Sequence, residues 1–403
     1  MKQTARIIST YSADVMGVCS ALFELGGMTV MHDASGCNST YTTHDEPRWY
    51  DMDSMVYISG LSEIEAIMGD DEKLIGDICE AAADLHPEFI AIAGSPISAM
   101  TGFDYEAVAE VIELRTGIPS FGFPTTGMNT YVHGASMALA GIAKRFIEEP
   151  SGRASAGSGA GESGRTAKGS GDICKVNILG LTPLDFSIIG MDRSIEAWLE
   201  ENGFEVISKW AMGSSLDEIR RAGEADVNLV VSAAGIGAAD VMRDRFGIPY
   251  VTGLPVGTKQ KEILAEMLRE CAAGNEADCR TVSEAETDQR ISAVIGEGIT
   301  SLALARAIEY DTGMKTKVLC TTECPDGILR KQDRMTPDED DIIPELADAA
   351  VIIADPLYKP ICPAGAKFVY LPSEAFSSRM FRKDIPDLAC HESYGSFIRK
   401  ITG

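Results

Sequence analysis

Apolar residues make up 45% of the chain, yet no run of them reaches the roughly 18 residues that a membrane-spanning helix requires. The opening Met1-Lys2-Gln3-Thr4-Ala5-Arg6 is not followed by the apolar core and small-residue cleavage site of a secretory leader, so a cytoplasmic location is expected. Positive charge is scarce: 35 Lys and Arg stand against 61 Asp and Glu, a net charge of −26. That excludes the basic surface that nucleic acid or an anionic membrane demands, and it suits either a basic protein partner or plain solubility. Only 5 histidines are present, none in a metalloprotease or Ser-His-Asp arrangement. A Walker-type G-x-x-x-x-G-K-[ST] is also missing, so nucleoside triphosphate hydrolysis is not expected of this chain. The ten cysteines contain no tight C-x-x-C pair and are too scattered for a disulfide scaffold.

What is present is alternation. Strand-length apolar runs at Met28–His32, Met55–Ile58, Phe89–Ala93 and Ser120–Phe123 are separated by amphipathic stretches at Lys73–Leu85 and Tyr105–Thr116. This pattern predicts a parallel sheet with helices on both faces. Residues 151–172 are dominated by Gly, Ser and Ala and read as a flexible linker. The formal G-x-G-x-x-G inside them, at Gly159, Gly161 and Gly164, follows no strand and opens no helix, so it lacks the context for phosphate binding.

The alternation then restarts. Strands are expected at Val176–Gly180, Phe204–Trp210, Val227–Ser232 and Tyr250–Thr252, with a helix at Asp192–Asn202 and a long helical stretch over roughly Lys259–Glu309. A third unit is expected from residue 313, with strands Lys317–Thr321, Ala350–Asp355 and Lys367–Leu371 and helix Asp340–Ala347. The expected organisation is therefore three Rossmann-like α/β domains, at 1–150, 173–312 and 313–403. Arg115-Thr116-Gly117-Ile118-Pro119 and Arg245-Phe246-Gly247-Ile248-Pro249 repeat one helix-to-strand phrase, which reads either as duplication or as a common connector.

In such sheets ligands gather beyond the carboxyl ends of strands. The loops there hold Asp33-Ala34-Ser35-Gly36-Cys37-Asn38, Gly94-Ser95-Pro96, Leu181-Thr182-Pro183, Ser232-Ala233-Ala234-Gly235 and Thr321-Thr322-Glu323-Cys324. Cys37 follows Gly36, whose bare backbone would let a bulky group approach, and precedes polar Asn38 and Ser39. Cys19 is expected near the start of a helix over Val18–Leu25, where the helix dipole favours thiolate. Cys320, Cys324 and Cys362 form either a second metal site or a strand-core thiol with two loop thiols. The segment His44-Asp45-Glu46-Pro47-Arg48-Trp49 is either a docking or proton-donating surface or a solvated loop.

These residues carry a resemblance. Gly17-Val18-Cys19, His32-Asp33-Ala34-Ser35-Gly36-Cys37 and Glu63-Ile64-Glu65-Ala66-Ile67-Met68-Gly69-Asp70-Asp71-Glu72-Lys73-Leu74 resemble, in order, motifs of the nitrogenase component 1-like oxidoreductase superfamily. Val176-Asn177-Ile178-Leu179-Gly180 and the run from Asn228 to Pro249 are similar too. The resemblance implies a nitrogenase-like reductase subunit with Cys19 and Cys37 as iron ligands and Gly36 and Ser95 beside the cluster. Ser95 stands where the family places a third cysteine, and a serine oxygen is a poorer iron ligand than thiolate. Two thiolates per chain imply one [4Fe–4S] cluster bridging two subunits, in a homodimer or in a heterodimer with a related component 1 subunit. An ATP-dependent iron protein is the implied electron donor. Ser232 and the histidine-free Pro372–Arg379 stand where the family holds its iron–molybdenum cofactor, so that cofactor and dinitrogen reduction are not expected. The alternatives are a scaffold for metallocofactor assembly, an α/β binding module with structural cysteines, or an electron-transfer subunit whose larger partner owns the substrate site.

Overall fold

In the computed structural model, residues 5–8, 10–36, 38, 46–149, 173–275 and 288–403 are described. The linker reading of 151–172, Cys37 and His44 fall outside them. Three separate all-parallel sheets organise the chain. Near-continuous apolar strands covered by helices on both faces are what such sheets require.

The first unit has strands β1 (Met28–His32), β2 (Met55–Ile58), β3 (Ile90–Gly94) and β4 (Ser120–Phe123) in the order β2-β1-β3-β4. Its helices are α1 (Asp14–Leu22), α2 (Glu63–Met68), α3 (Glu72–Leu85), α4 (Pro96–Thr101), α5 (Tyr105–Thr116) and α6 (Tyr131–Phe146). The second unit has β5 (Cys174–Leu179), β6 (Phe204–Trp210), β7 (Val227–Val230) and β8 (Tyr250–Thr252) in the order β6-β5-β7-β8. It carries α7 (Pro183–Phe186), α8 (Met191–Glu201), α9 (Leu216–Arg220), α10 (Ile236–Phe246) and α11 (Thr258–Ala272).

The two units share one strand order, and the repeated phrase occupies the same place in each. Gly117 and Gly247 end α5 and α10 in the left-handed region, at φ 72° and 64°. Pro119 O and Pro249 O then accept from Ile90 N and Asn228 N, both at 2.9 Å, seating the fourth strand against the third.

The third unit corrects the expectation of one helix over Lys259–Glu309. That stretch contains β9 (Asp288–Gly296), the central strand of a five-stranded sheet, followed by α12 (Gly298–Thr312). The unit therefore begins at the strand that opens at 288, not at 313. The other strands are β10 (Met314–Cys320), β11 (Arg334–Met335), β12 (Val351–Ala354) and β13 (Lys367–Tyr370), in the order β11-β10-β9-β12-β13. Helices α13 (Glu339–Glu345), α14 (Glu374–Ser377) and α15 (His391–Thr402) complete it.

Helix α6 joins the units. A Cβ at Gly17 of α1 would overlap the Tyr131 carbonyl of α6, and one at Gly134 of α6 would overlap the Asp14 carbonyl of α1. The two backbones touch because both side chains are absent. On another face, Gly237 N of α10 donates to Ser136 Oγ of α6 at 3.0 Å. A buried ion network adds a second joint. Arg48 Nε binds Glu46 Oε1 at 2.6 Å, and Nη1 binds Glu24 Oε1 at 2.9 Å. Nη1 also donates to Ala211 O at 3.1 Å, and Glu24 Oε2 accepts from Gly213 N at 2.6 Å, both in the second unit. Arg48 and Glu46 thus belong to a buried inter-unit anchor, not to a solvated loop or docking surface.

Gly17→Ala and Gly134→Ala should each lower unfolding stability by about 1–3 kcal/mol or more, since two backbones must part. Gly76→Ala is the control. Gly76 lies inside α3 with nothing within 4 Å of an added Cβ, and the change should stabilise by about 0.5–1 kcal/mol. Urea unfolding of the three variants measures both signs.

Candidate active site

Residues of all three units meet around the carboxyl group of Asp185, in the short helix α7 that follows β5. Tyr131, the first residue of α6 and fully buried, donates its hydroxyl to Asp185 Oδ1. Thr182 Oγ1 donates to Asp185 Oδ2 at 3.1 Å. Ser232, at the end of β7, lies against the same carboxyl and donates to Gly180 O at 2.7 Å. Glu297 approaches from the third unit. Its Oε1 accepts from Ala233 N and Ile299 N, both at 3.0 Å, and its Oε2 from Thr300 N at 2.8 Å, which caps α12.

These surroundings decide the protonation of Asp185. Burial pushes its carboxyl up to about 7, and the neighbouring Glu297 carboxylate pushes the same way. The bonds from Tyr131, Ser232 and Thr182 oppose them without cancelling them. The Tyr131 hydroxyl is raised well above its ordinary value by burial and by the Asp185 and Glu297 charges, so it keeps its proton. Asp185 and Glu297 also line a cavity of about 70 Å³ between the second and third units. Its other walls are mainly apolar, among them Phe186, Leu254, Leu304 and Phe376. A carboxylic acid poised near neutrality on an apolar wall can give a proton to a bound molecule and take it back.

Cys320 ends β10 and Cys324 follows in its loop. Their sulfurs are in contact, and a Cβ at Gly298 would overlap Cys324 Sγ. The neighbouring Cys320 thiol, reinforced by burial, pushes the Cys324 thiol far up. Between them in sequence, Glu323 Oε1 accepts from Thr130 N at 2.9 Å, and Oε2 accepts from Thr130 Oγ1. Cys362 packs elsewhere, in a separate apolar cluster, and donates to Tyr358 O at 3.3 Å. The three thiols therefore do not form one site. Among the described residues, no three of His, Cys, Asp and Glu converge as metal ligands.

The residues singled out for a cluster fare unequally. Helix α1 opens at Asp14, so Cys19 stands in its middle and not at its start. Its side chain is fully buried in the main apolar cluster. Burial and then the Glu46 carboxylate push its thiol up, the opposite of the shift expected at a helix terminus. That placement and that shift are those of a core thiol. The Ser95 side chain caps α4, accepting from Ser98 N at 3.4 Å, and is fully buried, so it is a helix cap. Cys37 lies outside the described residues. Gly36 beside it has open space where a Cβ would sit. Asn38 Nδ2 and Asp33 Oδ2 are buried there without a hydrogen-bond partner, so a donor and an acceptor stand ready for a group on that loop. His32 is held neutral: burial pushes it down to about 4, and its Nδ1 lies 2.9 Å from Ser59 Oγ.

The model of the family described as nitrogenase component 1 type oxidoreductase matches residues 14–351. The chain is 26% identical over 201 residues to the nitrogenase iron–molybdenum cofactor biosynthesis protein NifE of Clostridium pasteurianum, covering 48% of this chain and 38% of that protein. It is 24% identical over 250 residues to the nitrogenase molybdenum–iron protein alpha chain of Clostridium pasteurianum, covering 61% and 41%. The matched stretch thus spans less than half of either relative. A solved structure titled "Nitrogenase Cp1 at pH 6.5" superposes with a TM-score of 0.69 at 15% identity, over 100% of this chain and 93% of that one, which establishes the fold.

Asp185 generates a pH signature. Its folded value of about 7 lies above the ordinary 3.8, so the folded state binds the extra proton between them. The stability this adds is complete below the lower value and is lost as pH rises through the upper one. Asp185→Asn keeps the shape and cannot ionise. Its melting temperature relative to the parent should climb between pH 4 and 8, and a difference that stays flat would mean that the carboxyl titrates normally.

Proposed function

The chain belongs to the nitrogenase component 1 type oxidoreductases, and from that membership we propose that it is the redox subunit of a nitrogenase-like reductase whose substrate is not dinitrogen. The observation that carries this reading is Asp185 on the cavity wall, held from behind by the Tyr131 hydroxyl. Reduction of an unsaturated bond needs protons matched to electrons, and a carboxylic acid near neutrality beside an apolar cavity meets that need. A small organic molecule, or one end of a larger one, suits these walls. Ser232 and the histidine-free 372–379 segment support the exclusion of dinitrogen. A separate ATP-dependent iron protein would supply the electrons.

A partner subunit, either identical or related, belongs to the proposal. Helix α2 has no buried residue. It is held by a capping box between Ser62 and Glu65 and by the Lys73–Glu65 pair at 2.7 Å, not by packing. Ile64, Ile67 and Met68 stand 74%, 74% and 73% exposed on it, and Met100 of α4 is 83% exposed. Apolar side chains concentrated on so short a helix mark a surface that another protein covers. It lies close to the Cys37 loop, since Leu61 N, just before α2, donates to Asp33 O at 2.8 Å.

An iron–sulfur cluster enters through Cys37 alone of the two thiolates expected, with Gly36 and the Asn38 amide at its side. The chemistry such a cluster supplies is single-electron storage. A scaffold for cofactor assembly is the second reading, favoured by the NifE similarity. A scaffold has no need of the proton at Asp185.

Two results test these points. Iron content after anaerobic purification should fall at least several-fold in Cys37→Ser and stay at the parent level in Cys19→Ala; the reverse pattern overturns the ligand choice. Ile67→Glu should shift the complex toward single subunits in sedimentation analysis, with the Asp185 pH signature retained. For the reductase reading itself, Asp185→Asn in the complete complex should slow reductant consumption at least about a hundredfold, in the usual range for loss of a general acid. A complex that instead releases a metal cluster to an acceptor protein without net reductant use would establish the scaffold.

A further inference from the structure

Away from Asp185, a second and smaller cavity of about 20 Å³ lies between α11 and α12, partly open to solvent. Its walls include Thr252 at the carboxyl end of β8, Leu264, Leu302 and Ala303, and among the described residues no acidic one lines it. Besides Thr252, two polar side chains do. Arg306 is 7% exposed and its Nη2 is buried with no hydrogen-bond partner. Gln260 is 4% exposed and its Oε1 is buried without a partner as well.

A guanidinium is charged at any physiological pH, and a buried charge is ordinarily paired. The carboxylates that could have paired Arg306 are engaged by another arginine. Arg330 Nη1 binds Glu309 Oε2 at 2.8 Å, and its Nε binds Asp333 Oδ2 at 2.9 Å. Arg330 is also close enough to Arg306 to add repulsion. Nor does the start of α11 serve this cavity: Gly257, its N-cap, faces the Asp311 carboxylate and the Tyr394 hydroxyl. Arg306 is thus left with an inward N–H and no counter-charge in contact.

We propose that this cavity binds a small monovalent anion, a halide or the carboxylate of a short organic acid, between Arg306 Nη2 and the side-chain amide of Gln260. The volume suits one such group: about 10–15 Å³ on this measure holds a water, and a halide is little larger. Arg306 Nη2 donates one bond. The Gln260 amide, turned about its last torsion, presents Nε2–H as the second donor, an orientation of the same shape as its reverse. Bound anion neutralises the guanidinium and ties α11 to α12. The site is separate from the Asp185 cavity and does not rest on the redox reading.

The test uses the full-length protein in gluconate buffer at fixed ionic strength, titrated separately with bromide and with formate. A saturable rise in melting temperature, on the order of 2 °C, is expected for whichever source fits, and Arg306→Gln should abolish it. Crystals grown with bromide should show an anomalous peak within about 3.5 Å of Nη2 if halide is the ligand; a response to formate alone assigns the organic acid. Gln260→Glu guards against a folding failure of the arginine variant. It supplies the missing negative charge, so it should melt higher than the parent in gluconate and lose the anion response. A water alone at Nη2, with neither anion shifting the parent and Gln260→Glu melting no higher, overturns the proposal.

Discussion

The close passage of α6 against α1 and α10 is the contact on which the rest depends. Two glycines, Gly17 and Gly134, let α1 and α6 approach until backbone meets backbone, and Gly237 does the same for α10. A helix held that tightly on two sides has little freedom to slide. Its first residue, Tyr131, is therefore delivered to a fixed point in the second unit, where its hydroxyl meets Asp185. The buried Arg48 network restrains the same pair of units at another place. Position comes from packing in one case and from paired charge in the other.

Two buried ionisable groups illustrate opposite solutions to one problem. Taking charge out of water is costly, so a buried carboxyl relieves the penalty by keeping its proton. Asp185 does this because it is buried, and Glu297, whose oxygens are occupied by three backbone N–H groups, adds to the push. A guanidinium has no such exit, since it does not deprotonate in proteins. Arg306 must be neutralised from outside. The acid becomes a proton reservoir and the base becomes a receptor, although each sits in a wall of mainly apolar side chains.

Much of the architecture is legible in the sequence. β1, β2, β4, β6 and β8 begin and end where the apolar runs do, and the Gly-Ile-Pro phrase marks the same strand entry in two sheets. β9 is hidden because Ile291, Ala293, Val294 and Ile295 are followed directly by the apolar face of α12, so strand and helix read as one stretch. At the site, the rule of carboxyl strand ends points to the loops that surround Asp185, Thr182-Pro183 and Ser232 among them. It cannot select Asp185, since nothing local distinguishes that residue from an exposed helix-start acid. Its chemistry comes from Glu297 and Tyr131, 112 and 54 positions away along the chain. Cys19 differs from its expected setting for the converse reason: a helix start placed at Val18 rather than Asp14 makes a core thiol look terminal.

Glu323 carries a further consequence. It caps the first turn of α6 from the third unit, through Thr130, so the leading end of that helix is fastened by a part of the chain almost two hundred residues away. The Gly17 and Gly134 contacts lie in that same turn, so the start of α6 is held by α1 on one side and by the third unit, through Glu323, on the other. The hydroxyl that meets Asp185 is thereby placed by three parts of the chain at once, and loosening any one of them displaces it.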